Sequence, residues 1–321
     1  MNSLTNKKVL VTGGAGFIGS HLVDRIIQEN PSDIHVVDNF FLGEEENLED
    51  AHKMRPDLEV FRLDASDLAA MRDLVEEKAI EVVFNLAVIP LPTSLKYPVW
   101  TVNVNIGLAL TFCELARTNS IETLIHSSSS EAYGSAKTIP MNEDHPMNPK
   151  TPYAASKLAG DELVLSYIRT FGIDAAVVRP FNNYGPRQNP GRYAGIIPIV
   201  VKKLKKNEPI EIFGDGEQTR DYIFVKETAD AFVKVYQNNA SRGKVLNIAT
   251  GKEITINDLV AKLLEILGKQ DHPVFHSEDR IGDVRRHCGG VDLAKDLIGF
   301  QPHVMPEQGL LETALWYQER L

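Results

Sequence analysis

The stretch "KVLVTGGAGFIGSHL" limits what this chain can fold into more than any other part of it. A short β-branched run, Lys8 to Thr12, gives way to Gly14-x-Gly16-x-x-Gly19, with Gly13 adding a second glycine spacing, and then to a helix-like stretch from Gly19 to Glu29. Glycines between a strand and a helix allow a tight turn, and they let an anion approach the backbone amides at the helix N-terminus. Alone the pattern is weak; strand before and helix after give it meaning. Asp38 closes the next strand, "DIHVVDN", 19 residues beyond Gly19. A carboxylate there accepts hydrogen bonds from ribose hydroxyls and repels a 2′-phosphate, so a dinucleotide bound here is expected to be NAD rather than NADP.

The same alternation continues. "LEVFRLD" precedes a helix over 68–78, "VVFNLAV" precedes a long helix over 104–118, "TLIHSSS" leads to one over 154–171, and "DAAVVRP" comes next. Short apolar strands separated by helices predict a parallel sheet covered on both faces, an α/β doubly wound, Rossmann-type fold. After Arg179 the texture changes. "RPFNNYGPRQNPGRYAG" is dense in Gly, Pro and Asn and reads as an ordered loop, and an amphipathic helix over 196–206 comes after it. We expect a dinucleotide-binding domain over 1–179, with a segment returning to it near 221–250. A smaller mixed α/β substrate region over 180–321 should cover the sheet's carboxyl edge.

Bulk properties narrow the partners. With 321 residues and a net charge of -10, nucleic acid and an anionic membrane are poor candidates. No apolar run reads as a bilayer span, and the N-terminus is not a signal peptide, so a cytoplasmic setting is expected. Cys113 and Cys288 give neither a disulfide framework nor a metal spacing, and no metal site is expected.

"TPYAASKLAG" puts Tyr153 and Lys157 four residues apart on one helix face. A phenolate can take a hydroxyl proton while hydride leaves the same carbon. A tyrosine ionises near pH ~10 unless a cation favours its charged form, and Lys157 is placed to help.

Taken with the glycine loop, these residues resemble the extended short-chain dehydrogenase/reductase superfamily in its nucleotide-sugar epimerase/dehydratase branch. The likeness runs through "TGGAGFIGSH", "VVDNFFLG", "NVNIG", "SSSSEAYG", "PYAASK", "RPFNNYGPR", "GDGEQTRDYIFV" and "GDVRR". It implies a tightly held, recycled NAD and transient oxidation of a nucleotide-diphosphate sugar at C4. It implies that the cofactor lies against Gly13, Gly16, Phe17, Ile18, Gly19, Asp38, Asn39, Asp64, Ala65, Leu86, Ala87, Asn105, Tyr153 and Lys157. Ser129 matches the hydroxyl that hydrogen-bonds the C4 oxygen. Asn182 is expected on the sugar-diphosphate, Phe213 on the base, and Arg220 and Arg280 on the phosphates, where bidentate guanidinium contacts would supply local cations to an acidic chain. The resemblance also implies a homodimer through the helices near 104–118 and 154–171.

Within "SSSSEAYG", Glu131 matches the base of 4,6-dehydratases, which removes the C5 hydrogen once C4 is a ketone. The simple 4-epimerases lack it. Ser130 takes the place of the acidic residue of the dTDP-glucose type and is expected beside the sugar. The residues therefore favour a 4,6-dehydratase, a lyase, over a 4-epimerase, with a UDP-glucuronate decarboxylase third and a non-catalytic NAD-binding protein last. Two departures bear on the sugar pocket: Asn85 replaces the family's usual His, and the loop over 88–98 is short and carries two prolines before Pro98. His21 and His126 read as packed histidines, "KKLKK" as a solvated helix face, and "GEEENLED" as an acidic helix start.

Overall fold

The computed structural model describes residues 2–191, 194–279 and 283–320. Strands β1 (Lys8–Thr12), β2 (Asp33–Val37), β3 (Glu59–Phe61), β4 (Val82–Asn85), β5 (Thr123–Ser127) and β6 (Ala175–Pro180) alternate with helices. These are α1 (Phe17–Ile27), α2 (Glu49–Met54), α3 (Leu68–Lys78), α4 (Leu91–Lys96), α5 (Pro98–Arg117) and α6 (Pro152–Phe171). Beyond them come β7 (Asn182–Tyr184), α7 (Ile196–Lys205), β8 (Ile210–Phe213), β9 (Thr219–Arg220), β10 (Tyr222–Phe224), α8 (Val225–Gln237) and β11 (Val245–Ile248). The chain closes with β12 (Ile254–Thr255), α9 (Ile256–Ile266), β13 (Val274–Ser277), α10 (Asp292–Ile298) and α11 (Pro306–Arg320).

The central sheet has seven strands in the order β11-β6-β5-β4-β1-β2-β3, and every pairing in it is parallel. Alternation along each strand sends its two sets of side chains into two cores. Val9 and Val11 of β1 join Leu22, Val23 and Ile26 of α1 and Phe232 of α8 on one face. Leu10, between them, joins Met71 of α3, Phe112 of α5 and Val164 of α6 on the other. This is the doubly wound, Rossmann-type arrangement that the strand–helix alternation predicts.

Three small ribbons form the remainder: β7 with β10 and β8 with β13 in parallel, β9 with β12 antiparallel. Helices α7 and α9 bury Ile197, Val200, Leu259 and Leu263 against them.

Several boundaries differ from expectation. The loop over 88–98 contains α4, and α5 begins at Pro98 rather than near 104. Proline is tolerated in a helix's first turn, where its missing N–H would have no partner. The acidic stretch 43–50 becomes a short 3-10 turn, Glu45–Leu48, running into α2. The expectation that no segment is long and apolar enough to span a bilayer needs correcting. Helix α5, with 20 residues and mean hydropathy 1.3, passes that test of length and composition, but half of that span is buried inside the protein.

Candidate active site

Strand order decides where the chemistry can be. β1 lies between β2 and β4, so the chain leaves β1 on one side and β4 on the other, and a crevice opens at their carboxyl ends. A cleft of about 580 Å³ runs along this edge, lined from Gly13 to Tyr222.

Its floor is the glycine turn. Gly13 has φ +67°, and a Cβ there would stand 2.8 Å from the Ala87 nitrogen; a Cβ on Gly19 would meet the Gly13 oxygen at 2.0 Å. These contacts close the turn against the end of β4. Helix α1 starts at Phe17 after Gly16, with no side-chain cap and no acidic residue in its first turn. Its free N–H groups therefore face a pocket suited to an anion. Asp38 lies across from them; its Oδ2 accepts from the Ala15 nitrogen at 3.0 Å and its Oδ1 from the Phe40 nitrogen at 2.8 Å. Burial pushes the Asp38 carboxyl up, and the Phe40 and Ala15 amides pull it back. Asp64 and Ala65 line the cleft, with Asp64 Oδ1 accepting from the Ser66 nitrogen and hydroxyl. Phe17, Ile18, Asn39, Leu86 and Ala87 are also in the wall. An uncapped helix start, a backbone cradle that any Cβ would fill, and a buried carboxylate opposite fit a dinucleotide.

The Asn85 departure is accommodated by its neighbours. Thr12 Oγ1 donates to Asn85 Oδ1 at 2.8 Å and accepts from the Leu86 and Ala87 amides at 3.2 Å each. Asn85 Nδ2 donates to the Leu108 carbonyl and to His126 Nδ1, both at 3.1 Å. His126 is thus a packed, neutral ring, held well below its ordinary pKa by burial and then by the Lys157 charge. His21 is packed too, against the Pro186 carbonyl at 3.0 Å.

The reactive groups come from β5 and α6. Thr151 Oγ1 caps α6 by accepting from the Ala154 nitrogen at 3.1 Å, and Pro152 starts the helix, so Tyr153 and Lys157 project together. Lys157 Nζ donates to the Ser127 carbonyl at 2.5 Å, and burial pulls its ammonium down to about 8 against the opposing charge of Asp161. Burial pushes the Tyr153 phenol up to about 12, a hydrogen bond with Ser129 pulls it back, and Glu131 and Asp161 push it up further. Ser129 Oγ also accepts from the Glu131 nitrogen at 3.2 Å and caps the 3-10 turn Ser130–Tyr133. Glu131 lines the same cleft; burial raises its carboxyl, Arg220 lowers it and Asp283 raises it again. Ser129, Glu131, Tyr153 and Lys157 therefore share one wall.

Asn182 also lines the cleft, and its buried Nδ2 has no partner among the described residues, a donor available to an oxygen-rich ligand. Other expected residues stand elsewhere. Asn105 is spent on the Ile89 backbone, accepting from its nitrogen at 2.8 Å and donating to its oxygen at 3.1 Å, and it donates to Ser156 Oγ at 2.9 Å. It holds the loop after β4 from behind and is not part of the cleft wall. Ser130 is buried, and its carbonyl accepts from His287 Nε2 at 3.2 Å. Phe213 ends β8 outside the lining. Arg220 donates to the Thr219 and Val284 carbonyls at 2.7 Å each and pairs with the Asp283 carboxylate. In this state it is a strut between β9 and the 283–286 segment, not a wall of the cleft. Arg280 lies outside the described residues.

Among the wall residues that were not anticipated are Tyr222 and Arg187. Tyr222 begins β10, and burial pushes its phenol up to about 12. Arg187 comes after the Asn182–Tyr184 strand and pairs with Asp24 at 2.7 Å and Asp50 at 2.8 Å, tying the substrate side to α1 and α2. The density of Gly, Pro and Asn around Arg187 announces a loop but not these contacts.

The comparisons agree with this geometry. The model of the NAD dependent epimerase/dehydratase family matches residues 9–249. A UDP-glucose 4-epimerase of Mycolicibacterium smegmatis is 35% identical over 315 residues, 98% of this chain and 99% of its own. A dTDP-glucose 4,6-dehydratase of an Actinoplanes species is 32% identical over 327 residues, covering 97% and 98%. The crystal structure of the Thermotoga maritima UDP-glucose 4-epimerase with UDP-glucose superposes with a TM-score of 0.91 at 33% identity, covering 97% of this chain and 99% of that one. The seven-stranded parallel sheet, the glycine cradle opposite Asp38 and the shared wall of Ser129, Tyr153 and Lys157 make the same statement as these likenesses: the chain belongs to the NAD-dependent epimerase/dehydratase family.

Proposed function

We propose that the chain modifies a nucleoside-diphosphate hexose by oxidising its C4 hydroxyl transiently. The observation that carries this reading is the single wall formed by Ser129, Tyr153 and Lys157 beside the dinucleotide cradle. NAD, when bound, supplies the two-electron acceptor and donor that no side chain here can provide. The side chains do the rest. Ser129 and Tyr153 hold the C4 hydroxyl between them, and Tyr153 takes its proton. With its phenol at about 12, Tyr153 needs added positive charge to act as a base, and Lys157, one helical turn on, is the cation placed to supply part of it. Asn182 Nδ2, a buried donor on the cleft wall, is available to a diphosphate oxygen.

The fate of the 4-ketosugar separates two outcomes. The two curated relatives at 35% identity carry epimerase names, one of them given as putative, against 32% for the dehydratase, so the relatives favour 4-epimerisation over the dehydration that the resemblance at Glu131 puts first. We adopt 4-epimerisation as the leading outcome. Glu131 is the specific observation favouring the second, a 4,6-dehydration. A desolvated carboxylate next to Tyr153 could remove the C5 proton of a 4-ketosugar; the C6 hydroxyl would leave as water, and the hydride taken from C4 would return to C6 with a proton to C5. The exposed apolar side chains Leu110 on α5 and Phe171 on α6 support a homodimer through these helices.

The test is mass and NMR analysis of products from UDP-, GDP-, dTDP- and CDP-hexoses, N-acetylhexosamines included, with wild type and Glu131→Gln. An epimerase gives a product of unchanged mass inverted at C4, and Glu131→Gln retains it. A dehydratase gives a product lighter by one water, and Glu131→Gln loses it by a factor of about 100 or more. No change at or beyond C4 in any hexose would overturn the reading.

A further inference from the structure

The proposed chemistry makes no use of the charges buried beneath the catalytic tyrosine and lysine. Asp161 lies on α6 one turn after Lys157 and is 0% exposed; Arg179, near the end of β6, is 1% exposed. Arg179 Nη2 donates to Asp161 Oδ2 at 2.6 Å, and Ser128 Oγ donates to the same oxygen at 2.7 Å. The Arg179 guanidinium also sits 4.5 Å over the Tyr133 ring, whose hydroxyl donates to Asn247 Oδ1 at 2.9 Å. Asp161 Oδ1, Arg179 Nε and Arg179 Nη1 are buried without partners among the described residues. Apolar side chains of similar size would fill this space at lower desolvation cost, so stability alone does not explain the pair.

We propose that Asp161 is a positioning residue: its carboxylate, one helical turn from Lys157 and bonded to Ser128 beside Ser129, keeps Lys157 protonated and fixes the end of β5 that carries the catalytic serine. This rests on the reading of Lys157 as the cation that assists Tyr153. Lys157 is deeply buried, and its ammonium has only the Ser127 carbonyl from β5 as a hydrogen-bond partner among the described residues. A carbonyl dipole does not offset the loss of water around a full charge, which pulls a buried lysine down by up to several pH units. Among the described residues, the titratable groups that act on it are His126 from β5, which is neutral, and Asp161 from its own helix. Of these, Asp161 holds the opposing negative charge. Arg179, reaching in from β6 with Tyr133 at its back, pairs with that carboxylate at 2.6 Å. The Asp161 charge also pushes the Tyr153 phenol up, but it ranks behind burial and Glu131 there, so its main service is to the lysine.

Lys157 titration can be read without substrate. The protein as purified is labelled with a trace of acetic anhydride across a pH series, and acetylation of the Lys157 peptide is measured by mass spectrometry. Wild type should half-react near pH 8, in line with the value of about 8 for Lys157. Asp161→Asn should lower that midpoint by about 1 unit or more, while Asp161→Glu keeps it within a few tenths. Because Asp161→Asn leaves a buried guanidinium unpaired, the double variant Asp161→Asn/Arg179→Met, without either charge, is measured beside it and should show a drop of the same sign but smaller, since a cation near Lys157 is removed as well. The alkaline limb of the kcat pH profile should move with the midpoint. A midpoint unchanged in both Asn-containing variants, or displaced as far by Asp161→Glu, would overturn the proposal. Failure of the C4-oxidation reading would show separately, as absent turnover with the labelling shift intact.

Discussion

At Gly13 the backbone turns through the left-handed region, φ +67°, while its N–H donates to the Val37 carbonyl at 2.8 Å. An alanine there costs about 1–2 kcal/mol from backbone strain. Its Cβ would also lie 2.8 Å from the Ala87 backbone nitrogen, which has no flexible end to move aside. Gly13→Ala is therefore expected to unfold at lower urea concentration and to be purified with much less NAD than wild type. Wild-type NAD content in this variant would show that the turn is not the cofactor's cradle. Gly13 is legible in sequence because its turn is made by the backbone, and Asp38, Tyr153 and Lys157 because their spacing on a strand end and one helix face fixes where they stand. Arg220 and Asn105 are different. Both were expected at ligands, yet the structure uses Arg220 on Asp283 and Asn105 on Ile89. Which way a long or bifunctional polar side chain turns depends on neighbours far away in the chain, and no local pattern records it.

At the scale of elements, the start of α6 sets the angle at which Tyr153 and Lys157 enter the cleft. Thr151 supplies the side-chain cap of that helix. Thr151→Ala should cost about 1 kcal/mol of unfolding free energy. It should also reduce kcat more than the stability loss explains, since Tyr153 is the second residue of the helix. Urea unfolding and steady-state kinetics on the same preparation check both; an unchanged kcat would show that the helix start is set by packing alone. The strand–helix alternation through β6 reads directly from apolar periodicity. Helix α4 and the early start of α5 do not, because Pro92 and Pro98 look like breakers in sequence and become first-turn residues once the chain has turned. The ribbons β7–β10, β8–β13 and β9–β12 pair two to four residues each, too few for a period-2 pattern to rise above the loop composition around them.

At the scale of the whole molecule, the buried histidines tie stability to pH. Burial holds His287 down to about 4, with Arg220 adding to it, and it holds His21 down to about 3. A histidine lowered in this way binds its proton in the unfolded chain first. Between the ordinary value of 6.5 and the folded value, the unfolded state carries more protons, so stability falls as pH falls. For His287→Gln, which can still donate to the Ser130 carbonyl, the loss between pH 6 and 4.5 should be shallower by up to about 1.4 kcal/mol per pH unit. Urea titrations at several pH values measure this; parallel curves for the two proteins would show that His287 is already charged in the folded state.

The sheet order brings the ends of six strands to one cleft, and the proposed reaction requires hydride to leave and return within it. The most direct measurement is NMR of the product formed from a nucleoside-diphosphate hexose carrying deuterium at C4. Deuterium retained at an inverted C4 is the predicted result for the leading outcome, and deuterium moved to C6 is the result for dehydration. Deuterium lost to water from C4 would mean that this hydrogen leaves as a proton, and would contradict hydride transfer at C4.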